Sequence, residues 1–158
     1  MNETTGGGPE PAAWRYANAA RPAQLLISGA LTQVAGFALL VMTSNRSLAL
    51  AEVALIGARQ ASLQALEAVR GLEAPESASH HLHHLREAAA MLKQTCSSAL
   101  RCLEPEASEV ERDALVRALS ATSRHLRATA RLLPGFELVD LRQACCAAHA
   151  PAALMCQA

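Results

Sequence analysis

The sequence predicts an all-α protein: an antiparallel four-helix bundle over about residues 12–133, with a fifth short C-terminal helix capping one end. Three observations predict it. Half of the 158 residues are apolar, yet only Trp14, Tyr16, Phe37 and Phe136 are aromatic, and a core of Leu and Ala with few β-branched residues favours packed helices over sheet. Apolar residues recur at spacings of three and four through most of the chain. Breaks at Glu73-Ala74-Pro75-Glu76, Glu104-Pro105-Glu106 and Leu133-Pro134-Gly135 cut it into helix-length pieces. A chain of this length can bury a core of its own. Residues 12–149 therefore read as one helical-bundle domain between an N-terminal tail, 1–11, expected to be disordered, and a C-terminal tail, 150–158.

The first helix carries the uncharged stretch Ala23 to Ser44. About twenty apolar residues suffice to cross a bilayer, and Trp14, Arg15, Tyr16 and Arg21 precede this stretch as an interfacial anchor would. The stretch is nonetheless two-faced. Ile27, Leu31, Val34, Ala38 and Val41 form one apolar stripe, and Gln24, Ser28, Gly29, Thr32, Gln33 and Gly36 spread over the other side. That pattern favours a core helix of a soluble, cytoplasmic bundle over a membrane anchor, which stays the alternative. Ala49-Leu50-Ala51 resembles a signal-peptide cleavage site, but the preceding sequence includes Glu3 and Glu10.

Ser47 is placed to cap the second helix after a short turn. This helix, about Leu48 to Gly71, has small residues along Ala51, Ala54, Ala58, Ala61 and Ala65. Pro75 suits the first turn of a third helix, whose Leu82, Leu85, Ala89, Leu92, Cys96, Ala99 and Leu103 make an unbroken seam. Cys96 therefore reads as a small core residue. The fourth helix has its seam at Leu115, Leu119, Thr122, Leu126, Thr129 and Leu133. Its acids lie early and Arg117, Arg124, Arg127 and Arg131 late, which complements the helix dipole and reads as a solvated face. The fifth helix, about Phe136 to His149, would turn Leu138, Leu141, Cys145 and Ala148 inward before Pro151 stops it.

Fourteen basic residues balance fourteen acidic ones, so no general attraction to nucleic acid is expected. Thirteen of the basic residues are Arg, a bias read as genomic composition of a bacterial type. Five cysteines without framework spacing point to a reducing compartment. Gly6-Gly7-Gly8 follows no strand, and Gly-x-Ser-x-Gly and His-Glu-x-x-His are missing. Glu-x-x-His is missing too, which disfavours a carboxylate-bridged di-iron centre, and clustered histidines disfavour bis-histidine haem.

The side chains with metal chemistry fall in two places: His80, His81, His83 and His84 in one run, and Cys145, Cys146 and His149 near the end. Antiparallel connectivity brings His125 level with His84 and lets the fifth helix fold back across both. The candidate metal set is therefore His81, His84, His125, Cys145 and His149, with zinc or copper preferred for imidazole and thiolate ligands. The opposing reading is that histidines at a helix start are ordinary surface residues, with only His81 bordering the core. A Cys146–His149 nucleophile lacks a visible group to depress the thiol pKa. The leading expectation is thus a non-enzymatic binding or interaction module, pairing with itself as a homodimer or with another helical protein. A metal-binding or metal-sensing bundle is the alternative.

Overall fold

The computed structural model describes residues 11–43, 48–104 and 106–137. These residues are helical with no strand among them: α1 Pro11–Met42, α2 Leu48–Arg70, α3 Ser79–Arg101 and α4 Glu109–Leu132. A short 3-10 turn, Glu76–Ala78, leads into α3. α1 and α3 touch each other, and each also packs on α2 and α4. The tail before residue 11, the turn with Ser47, and most of the expected fifth helix lie outside the described residues. Phe136 and Glu137, where that helix was expected to begin, are not helical.

The seams read from the sequence are the buried faces. Leu82, Leu85, Ala89, Leu92, Cys96 and Ala99 are all buried on α3, as are Leu115, Thr122, Leu126 and Thr129 on α4. α3 goes further than one seam: Ala88, Thr95, Ser98 and Cys102 are also buried, as its contacts with three neighbouring helices require. Small residues make this possible, because Ala20, Ala23, Ala30, Ala58, Ala65, Ala88 and Ala89 let backbones approach closely. Burial pushes the Cys96 thiol pKa up, which keeps it a neutral core group.

Buried hydroxyls are satisfied within this packing. Ser62 donates to Arg59 O at 2.7 Å and Thr129 to Leu126 O at 2.7 Å. Thr95 and Thr122 meet between α3 and α4 at 2.9 Å. Ser108 begins α4 with a capping box: its Oγ accepts from the Glu111 N–H, and the Glu111 carboxylate accepts from the Ser108 N–H at 2.7 Å. α1 runs through Pro22 without ending. Pro22 has no N–H to donate to the carbonyl of Asn18 one turn earlier, and both residues are exposed.

The chain past α4 is plugged back into the core. Gly135 takes a positive φ of 86°, which a side chain would resist, and its N–H donates to the Glu137 carboxylate at 3.0 Å. The turn delivers Phe136, 1% exposed, into the interior. Gln24, on the face expected to be polar, is buried there because its amide donates to Phe136 O at 2.8 Å.

Leu92 is fully buried, so Leu92→Ala should cost about 2–5 kcal/mol in urea unfolding. Ser108→Ala should cost about 1 kcal/mol through the lost cap. Equal, small losses for both would contradict this division between core and cap.

Candidate functional site

The first turns of α3 face two different environments. His81 points inward and is 1% exposed. Tyr16 Oη lies 2.7 Å from its Nδ1, and Phe136 meets its ring edge-on at 4.4 Å between centroids. Burial pushes the His81 pKa down to about 4, with the nearby His84 adding to the effect. Burial likewise pushes Tyr16 up to about 12, slightly opposed by Arg86. Both groups are therefore neutral at pH 7. The remaining ring nitrogen, Nε2, is buried and among the described residues has no hydrogen-bond partner. This histidine holds three segments together and faces away from solvent.

His80, His83 and His84 lie on the other side, the first two exposed and His84 half-buried. His84 Nδ1 sits 3.0 Å from His125 Nδ1 on α4, a contact in which one imidazole donates and the other accepts. The His80 ring packs on His84 at 4.7 Å and the His83 ring at 5.3 Å between centroids. Desolvation first, and then His80, His125 and His83, hold the His84 pKa below the ordinary imidazole value, with Glu87 opposing. A neutral His84 is the form that donates or accepts through either ring nitrogen.

Of the five residues expected to converge, the structure joins His84 and His125 and buries His81 apart from them. Cys145 and His149 lie outside the described residues, as does Cys146. Two imidazoles are half of the four donors that a closed zinc site uses. Among the described residues no group of three or more His, Cys, Asp or Glu side chains is arranged to hold a metal.

Sequence reading missed what lies beside the histidine pair. An open cavity of about 530 Å³ runs between the start of α3 and the second half of α4, lined by His80, His84, Ser120, Arg124, Arg127, Ala128, Arg131 and Leu132. The recurrence of Arg124, Arg127 and Arg131 at three and four residues was the available signal. It does not disclose a concave surface. On the opposite side of the molecule a more apolar groove of about 610 Å³ lies between α1 and α2, walled by Pro22, Leu25, Leu26, Gly29, Gly57 and Ala61 among others.

Comparison with known protein families, curated proteins and solved structures finds no match to this chain.

The neutral state of His81 gives a stability prediction with a definite sign. Its folded pKa lies below its unfolded one, so the unfolded chain binds the extra proton first. Stability is then fully present above about pH 6.5 and falls as pH drops toward 4, by at most about 3 kcal/mol at 1.36 kcal/mol per pH unit. The urea midpoint should fall between pH 7 and pH 5 in the native chain and fall less in His81→Gln. An identical slope in His81→Gln would contradict the assignment.

Proposed function

We propose that this chain is a non-enzymatic helical interaction module, an antiparallel four-helix bundle that docks a second copy of itself through the outer faces of α1 and α2. The antiparallel order is supported by which residues meet. Arg86 of α3 donates to Val69 O and Leu72 O, at the end of α2 and just beyond it, while Cys96, later in α3, has the earlier Ser62 near it. His84 meets His125, and Thr95, further along α3, meets the earlier Thr122. A fifth short C-terminal helix capping one end belongs to the same proposal.

The observation that carries the reading is a pair of outward seams. On α2, Val53, Ile56, Gln60 and Leu63 recur at three, four and three residues, and all four are exposed. On α1, Leu25, Gly29, Thr32, Gly36 and Leu39 recur at four, three, four and three, again all exposed. Each helix thus has a buried seam and a second one facing solvent, the spacing that pairs helices. Leu25 is 66%, Leu39 65%, Val53 70% and Ile56 57% exposed, although isolated exposure of this kind is ordinary. Their alignment in rows is what a partner surface requires. An added side chain at Gly29 or Gly36 meets nothing within 4 Å, so a second helix can approach the backbone closely there. A two-fold arrangement lets one face serve as its own complement.

Lipid is the competing occupant. α1 includes an 18-residue window with mean hydropathy 2.0, of which only 28% is buried. The outer seams, however, carry Thr32 and Gln60, and Glu52, Arg59 and Glu67 are exposed on α2. Acyl chains offer no partner to the Gln60 amide or to the Glu52 and Arg59 charges, whereas a second helix can bond them.

Light-scattering mass measurement in aqueous buffer should give a dimer. Leu25→Glu with Ile56→Glu should give a monomer with unchanged helicity, since both positions are exposed. A native monomer at high micromolar concentration, or retention in a carbonate-washed membrane pellet, would overturn the proposal.

A further inference from the structure

We propose that the cavity between α3 and α4 binds an organic phosphate, with the phosphoryl oxygens held by Arg124, Arg127 and Arg131 and by the ring N–H groups of His80 and His84. The site is on a different face from the self-docking seams and does not depend on them.

The lining sets the charge of the ligand. Arg124, Arg127, Arg131, His80, His84 and Ser120 line the cavity, and among the described residues no carboxylate does. Among the described residues the three arginines have no ion-pair partner, the one ion pair being Arg70–Glu67 on α2. The carboxylates of α4 itself, Glu109, Glu111 and Asp113, are near its start, and Asp113 is about 16 Å of helix away from Arg124 at 1.5 Å per residue. Three like charges on one face of a helix repel each other and are relieved by a bound anion. Guanidinium matches phosphate oxygens two at a time, so a dianion with three free oxygens suits the row better than a monovalent carboxylate.

The volume sets the size. About 530 Å³ lies within the range that holds a small organic molecule and exceeds the needs of a bare phosphate ion. Ala128 and Leu132 supply apolar wall for the remainder of such a ligand. The histidine pair adds a proton link. His84 has His80, His83 and Glu87 near it on its own helix and His125 on α4, and burial first, then the neighbouring imidazoles, oppose its charging. A dianion placed against it reverses that balance, and His84 takes up a proton as the ligand binds.

The same phosphoryl chemistry can be offered by a soluble phosphate monoester or by a phosphomonoester lipid headgroup, and the test has an arm for each. Untagged full-length protein at pH 7 is titrated with phenyl phosphate while the histidine ring resonances are followed. In parallel it is co-sedimented with phosphatidylcholine vesicles with and without phosphatidic acid. Saturable movement of the His80 and His84 resonances, with His81 still, assigns the soluble source. Phosphatidic-acid-dependent sedimentation assigns the lipid source. In whichever arm binds, Arg127→Gln and Arg131→Gln should each weaken binding about tenfold, and Arg117→Gln, outside the cavity, should not. The substituted side chains are exposed, and unchanged thermal unfolding checks that each variant folds. The proposal is overturned if neither arm saturates, or if Arg127→Gln binds as tightly as the native chain.

Discussion

The contact on which one whole end of the molecule depends is the hydrogen bond between Tyr16 and His81, sealed by Phe136. It joins the start of α1, the start of α3 and the segment after α4, three parts of the chain that share no local sequence. A buried polar pair of this kind is stable only while both partners stay neutral and bonded. That requirement explains the depressed His81 pKa, the raised Tyr16 pKa and the closure of Phe136 over the pair. Gln24 extends the same junction by bonding the Phe136 carbonyl.

Once His81 is held inward, the helix geometry places the other histidines. One residue along a helix is a rotation of about 100°, so His80, His83 and His84 are turned outward. His84 meets His125 on α4, and His80 and His84 border the arginine row. The buried histidine thus orients a polar cavity without lining it. Burial on one side and positive charge on the other act on adjacent residues of one short run, and this is why four histidines in five positions have three kinds of environment.

Much of the helical layout was legible in the sequence, because its signals are local. The alternating three- and four-residue spacing from Leu82 to Ala99 depends on one helix burying one face, and Cys96 follows from its place in that row. The meeting of His84 with His125 followed from counting residues from the helix ends. What was not legible depends on contacts far apart in the chain. Tyr16 and His81 are 65 positions apart, and nothing in either neighbourhood marks the other. Phe136 stands after Pro134-Gly135 with no periodic context, so it read as the start of a helix and not as a core plug. The arginines read as a solvated face because periodicity reports which side of a helix they occupy, not whether that side is concave. Gln24 read as polar surface because a buried amide is justified only by its partner, here a backbone carbonyl 112 residues away.

The most direct test of this account is the titration of the individual histidine rings by NMR in the folded protein. His81 is predicted to remain neutral at pH 5.5. A His81 ring that titrates near pH 6.5 with the fold intact would contradict the buried junction, and with it the placement of the polar cavity beside it.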